Sequence, residues 1–186
     1  MRKLGEKKMK KRLVMGIASL SLLATACGTG SGSTTDEITI GSMFEKTGEV
    51  SAYGTAEANA VNLAIKEINE AGGLLDKKIN LIEYDTKSDN TEAASIATKL
   101  ATQDEAVVIV GPATTGAVKA STPAVTRAEV SLVTPSGTDD SLTIDESGKV
   151  QPNIFRTSFQ DSFQGIALAE FATSELKNKK AVIIGD

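Results

Sequence analysis

An alternation of short apolar runs with segments of helical period constrains this chain more than any other feature. Glu37 to Met43, Ile79 to Tyr84, Ala106 to Val110 and Val130 to Val133 have the length and residue types of strands. Between them, apolar residues recur every three or four positions: Ala58, Val61, Ile65 and Ile68 first, then Ala93, Ile96, Ala97 and Leu100. Gly72-Gly73 stops the first helix, the polar stretch Asp85 to Asn90 can cap the second, and Gly116 to Arg127 supplies a third. Strands alternating with helices of this length specify βαβ units and a parallel sheet. The third and fourth runs are almost continuously apolar, so helices are expected on both faces. The predicted fold class is therefore α/β, a doubly wound parallel sheet. Asp139 to Asn153 is polar and irregular, as a crossing connection is, and Ile154 to Thr157 is a short extended piece. Gly165 to Leu176 is predicted helical, and Ala181 to Ile184 a further strand.

Two of the strands open into loops of one kind. Gly111-Pro112-Ala113-Thr114-Thr115-Gly116 follows the third, and Thr134-Pro135-Ser136-Gly137-Thr138 the fourth. Ligands of open α/β sheets bind outside the carboxyl ends of the strands, where such loops collect. A helix N-terminus offers unpaired N–H groups and partial positive charge to a carboxylate. Thr115 can add a hydroxyl donor there, Ser136 can offer a backbone carbonyl to an ammonium, and Thr138 an amide and a hydroxyl. A single loop of this type is better explained by helix capping; two at adjacent strand ends are explained equally well by capping and by a ligand site. Tyr53 stands near the end of the first strand, where its ring can wall a pocket or staple the helix to its neighbour.

The ends of the chain carry separate signals. A basic segment with Arg2, Lys3, Lys7, Lys8, Lys10, Lys11 and Arg12 precedes an apolar stretch, Leu13 to Ala26, and then Cys27. That order describes an export signal. The apolar stretch is shorter than the roughly 20 residues that span a bilayer, and Gly16, Ser19, Ser21 and Thr25 interrupt it. Leu23-Ala24-Thr25-Ala26 before Cys27 resembles a bacterial lipobox, with Ala24 where Leu is commoner. Cys27 is accordingly the expected lipidation site, and Gly28 to Thr35 a flexible tether. The expected division is 1–26 signal, 27–35 tether, 36–153 first lobe, and 154–186 crossover with the start of a second lobe. The chain is expected to be a fragment or a truncated product, because it stops at the carboxyl end of a strand.

Composition excludes several classes. Without the signal, thirteen basic residues face twenty-three acidic ones, a net −10. Nucleic acid is thereby disfavoured, since phosphate binding needs a basic patch. The chain has no histidine and one cysteine, which removes imidazole-based catalysis, intrachain disulfides and cysteine-rich metal sites. Gly111 to Gly116 matches half of a phosphate-binding loop, but Ala117-Val118 stands where Lys-Ser/Thr is required. The acidic residues Asp139, Asp140, Asp145 and Glu146 match no calcium loop and fit a solvated connection. No cofactor, metal or catalytic residue is predicted, and the chain is not expected to be an enzyme.

The ordered set Ile38-Thr39-Ile40-Gly41, Thr47-Gly48, Tyr53-Gly54, Ile68-Asn69-Glu70-Ala71-Gly72-Gly73 and Tyr84-Asp85 resembles the type I solute-binding proteins. Both hydroxyl loops continue the match, as do Phe155-Arg156-Thr157 and Asp161-Ser162-Phe163-Gln164-Gly165. The nearest group by this resemblance is the branched-chain amino acid binding components of ABC importers. The resemblance implies two α/β lobes closing on an amino acid, a membrane-embedded permease as partner, and a site outside the cytoplasm. It further implies that Thr115 binds the ligand carboxylate, Ser136 offers its carbonyl to the ammonium, Thr138 contacts both, and Tyr53 lines the side-chain pocket. Thr115 replaces the Ser of many members, and Ser136-Gly137 the Ala-Ala of some.

Overall fold

The computed structural model describes residues 37–145 and 147–182; the expected signal, Cys27 and the tether lie outside them. The elements are β1 (Glu37–Phe44), α1 (Ser51–Glu70), β2 (Lys78–Asp85), α2 (Asn90–Thr102) and β3 (Val108–Val110), followed by α3 (Thr115–Ala128) and β4 (Ser131–Thr134). A 3-10 turn at Asp140–Leu142, β5 (Ile154–Arg156) and α4 (Asp161–Ser174) complete the order. The strands form one parallel sheet in the order β2-β1-β3-β4-β5. Strand order reverses between β1 and β3, which makes the gap at their carboxyl ends the switch point where open α/β sheets bind ligands.

Successive residues of a strand point to opposite faces, and both faces here are covered. On one, Met43, Ile109 and Leu132 pack with Ala93, Ala97 and Leu100 of α2 and with Val118 and Val125 of α3. On the other, Phe44 packs with Ala58 of α1 and Ala113, with Val61 and Val110 alongside. The doubly wound arrangement follows from this split. The α1 face is thinner than its periodicity implies: Ile68 is exposed, because only the first half of α1 lies close against the sheet. Asn69 ties the far end down, donating to the Ile79 carbonyl at 2.9 Å and accepting the Ile79 N–H at 2.7 Å.

Some boundaries differ from the sequence expectation. β3 starts at Val108 and not at Ala106, because Glu105 takes a left-handed turn (φ 53) and the Ala106 N–H bonds back to the Leu100 carbonyl. α4 begins at Asp161 and not at Gly165; an acidic residue in the first turn suits the positive end of a helix. The stretch Asp139 to Asn153 holds the 3-10 turn and an antiparallel bridge between Ile144 and Val150. Ala181 and Val182 have no regular structure, and the rest of the strand expected there lies outside the described residues.

Candidate functional site

The site is built at the carboxyl ends of β1, β3 and β4. β1 runs directly into Glu45, whose side chain is completely buried. Its carboxylate accepts the Ala113 N–H at 3.0 Å, the Thr114 N–H at 3.1 Å and the Thr114 hydroxyl at 2.7 Å. A carboxylate from β1 thus satisfies the loop after β3. Thr114 is the N-cap of α3, yet its hydroxyl is given to Glu45 and makes no cap of its own. The first-turn N–H groups of Thr115 and Gly116, which have no intrahelical acceptor, remain available to a ligand. Gly111 (φ 98) lets the loop leave β3, since a Cβ there would stand 2.1 Å from the Met43 carbonyl oxygen.

The loop after β4 is stitched to the loop after β3. The Thr134 hydroxyl donates to the Pro112 carbonyl at 2.7 Å and accepts the Gly137 N–H at 3.0 Å. The Ser136 hydroxyl donates to the Ala113 carbonyl at 2.8 Å. Arg156 of β5 reaches under the same loop and donates to the carbonyls of Thr138 at 3.0 Å and Asp139 at 2.8 Å. The Thr138 carbonyl also receives the Asp161 N–H that opens α4. Thr115 accepts the Asp139 N–H at 3.5 Å, which leaves its own hydroxyl proton free to donate.

Tyr53, Thr115, Ser136 and Thr138 line one cavity of about 430 Å³, joined by Phe159 just before α4 and Gln164 in its first turn. That size is ordinary for a small-molecule site. Tyr53 is 67% exposed, so its ring is not a staple between helices; it forms the rim. Glu45 and the Arg156 clamp are additions that sequence reasoning missed. A charged residue abutting an apolar strand was the only signal for Glu45.

The acidic connection serves local structure. Asp139 pairs with Lys119 at 2.8 Å and accepts from the Ser141 N–H and hydroxyl, which lowers its pKa to about 2. Asp145 accepts from Ser147 and from the Lys149 N–H, closing a turn. Because the folded pKa of Asp139 lies below its ordinary 3.8, its contribution to stability is complete above about pH 4 and is lost as pH falls toward 2. Urea unfolding of the wild type and Asp139→Asn is expected to differ at pH 5 and to converge by pH 2. A difference that persists unchanged at pH 2 assigns the effect to something other than this charge.

Fold and cleft define a class: an α/β lobe with a loop-lined cavity at the switch point of its sheet. The profile of the periplasmic binding proteins matches residues 37–186, and the chain belongs to that family. It is similar to the Leu/Ile/Val-binding protein BraC3 of Rhizobium johnstonii, 31% identical over 150 residues that make up 81% of this chain and 40% of the relative. Among solved structures it is similar to LivJ of Streptococcus pneumoniae, a branched-chain amino acid transporter substrate-binding protein in complex with isoleucine. Identity is 44% and the TM-score 0.70, over 76% of this chain and 39% of that one. An ABC transporter solute-binding protein of Rhodopseudomonas palustris in complex with 3,4-dihydroxybenzoic acid is 27% identical with a TM-score of 0.66, over 74% and 36% of the two chains. The chain therefore spans about two-fifths of the length of the relatives it matches.

Proposed function

We propose that this chain is the ligand-binding first part of an extracytoplasmic substrate-binding component of an ABC importer, and that its solute is an amino acid of the leucine, isoleucine and valine class. The ligand carboxylate takes hydrogen bonds from the N–H and hydroxyl of Thr115. Its ammonium is held by the Ser136 carbonyl, Thr138 contacts both groups, and Tyr53 walls the side chain. The observation that carries this reading is the meeting of these four residues, from three separate strand ends, around one cavity. Similarity to BraC3 and LivJ supports the solute class. Those relatives are binding proteins, and no catalytic step is assigned here. The partner is a membrane-embedded permease. Residues 1–26 serve export, Cys27 carries the lipid, 27–35 form the tether, 36–153 most of one lobe, and 154–186 lead into a second.

The test uses the longest product the gene encodes, from Asp36 onward. Ligand that binds only the folded state at a hundred times its Kd adds about 2.7 kcal/mol to stability, a shift of several degrees in Tm. Leucine, isoleucine or valine is expected to produce it, and Thr115→Val to weaken binding about tenfold by removing a hydroxyl donor while keeping the shape. No shift with any of the twenty amino acids overturns the reading, and a shift with dihydroxybenzoate alone replaces it with an aromatic-acid site. For the anchor, Cys27→Ser is expected to move the product from the membrane fraction to the soluble one; unchanged partition removes the lipid.

A further inference from the structure

Phe159 contributes to neither core cluster and is 55% exposed. Single exposed aromatic residues are common on folded proteins, but this one is held in place. Before it, the Thr157 N–H donates to the Thr134 carbonyl at 3.2 Å and the Ser158 hydroxyl to the Gly137 carbonyl at 3.1 Å. After it, the Asp161 N–H donates to the Thr138 carbonyl at 3.0 Å. Phe159 thus stands on a short span of chain fastened at both ends to the loop after β4. That loop is the one that supplies Ser136 and Thr138 to the cavity.

Strand order decides what that ring meets. In the order β2-β1-β3-β4-β5, the loops after β3 and β4 lie between the ends of β1 and β5. Tyr53 reaches the cavity from the β1 side, in the first turn of α1. Phe159 reaches it from the β5 side, three residues past that strand. These two are the aromatic residues of the lining; Phe155, Phe163 and Phe171 are comparably exposed and take no part in it. The loops between the two rings carry Thr114, Thr115, Ser136 and Thr138. The cavity therefore has hydroxyl-bearing loops in the middle and an aromatic residue on each flank. Small-molecule sites combine a few polar groups that fix orientation with apolar walls that select shape.

We propose that Phe159 is a specificity-determining residue: from the β5 side it opposes Tyr53 and sets the length of aliphatic side chain that the cavity favours. The inference rests on the amino-acid reading of the same cavity and deepens it, by assigning the selection among aliphatic solutes to a residue beyond β5. Hydrogen bonds to a carboxylate and an ammonium are the same for every amino acid and discriminate among none of them. Discrimination has to come from apolar contact, and a longer side chain removes more apolar surface from water against the ring. The span that carries Phe159 is tied down before any solute arrives, so little freedom is lost on binding and the contact is retained as affinity.

The experiment compares leucine with valine, which is one carbon shorter, by calorimetry on the longest product the gene encodes. Phe159→Ala is expected to weaken leucine about tenfold and valine about twofold, a shift in preference of about fivefold. That shift is smaller than the tenfold or more that one methylene is worth in a closed pocket, roughly, because the ring is half exposed. Phe159→Leu keeps apolar bulk and is expected to retain most of the preference. Ser158→Ala removes one tie of the span without altering the cavity lining, and is expected to shift the preference the same way by a smaller factor. Where Phe159→Ala fails to fold, an unchanged ratio of leucine to valine affinity in Ser158→Ala overturns the proposal. Equal losses for both ligands in Phe159→Ala, or no loss for leucine, overturn the role of Phe159 and leave the amino-acid reading standing. Failure of the wild type to bind any amino acid overturns that reading and this inference with it.

Discussion

Gly54→Ala is expected to destabilise the folded lobe by about 3 kcal/mol, at the upper end of what overpacking usually costs. Helix propensity alone favours alanine over glycine by about 1 kcal/mol, so the sign of the change separates the two effects. The added Cβ would stand 2.3 Å from the Glu45 carbonyl oxygen, 2.6 Å from its carbonyl carbon and 2.7 Å from its nitrogen. All three are backbone atoms at the end of β1, held between β2 and β3, and no side chain can rotate away to make room. α1 must therefore lift. Gly54 and Ala58 are its only buried residues, so lifting separates Ala58 from Phe44 and Ala113 and opens the smaller of the two core clusters. Urea denaturation of the two proteins measures the difference. A variant as stable as the wild type, or more so, rules out the close approach of α1 to Glu45.

Glu45→Ala is expected to have a comparable effect through a different mechanism. The substitution strands the Ala113 N–H, the Thr114 N–H and the Thr114 hydroxyl, three donors that the carboxylate now satisfies. Each buried donor left without an acceptor costs about 1–3 kcal/mol, less whatever water entering the gap restores, and a total of about 3 kcal/mol is expected. The loss is local in origin, so amide hydrogen exchange should report it first at Ala113 and Thr114, with ligand affinity falling because Thr115 loses its fixed position. Glu45→Gln keeps an acceptor oxygen and is expected to retain part of the protection. Unaltered exchange at Ala113 and Thr114 in Glu45→Ala would show that the loop is held by other means.

These two positions also mark the boundary of what the sequence disclosed. The apolar runs around Ile109 and Leu132 and the helical spacing of Ala93, Ile96, Ala97 and Leu100 carried the doubly wound class, because a parallel sheet covered on both faces imposes those patterns directly. The loops that bring Thr115, Ser136 and Thr138 to one cavity were legible for a related reason: Gly, Pro and hydroxyl residues gather where a strand must open into a helix. Glu45 was not legible. Its role depends on β1 and β3 being neighbours although α1, β2 and α2 separate them in the chain, and strand order is not written in local periodicity. Gly54 was noticed beside Tyr53, but its reason, the proximity of the Glu45 backbone, exists only in three dimensions. The start of α4 was placed late because Asp161 to Gln164 lacks an apolar stripe, and no residue of that helix is buried. Nor did composition distinguish Arg156 from any other arginine; its task is defined by carbonyls seventeen and eighteen residues earlier in the chain.

Arg156 has a mechanical consequence. Its guanidinium holds the carbonyls of Thr138 and Asp139, and the Thr138 carbonyl also receives the N–H with which α4 begins. A residue on the cavity wall is therefore coupled on its reverse side to the strand and the helix that carry the chain onward. Force applied along β5 would reach Thr138 through the single hydrogen bond from Arg156. The wall of the cavity and the exit of the chain are joined at one carbonyl, and on the proposed reading a solute held by Thr138 would pull on both.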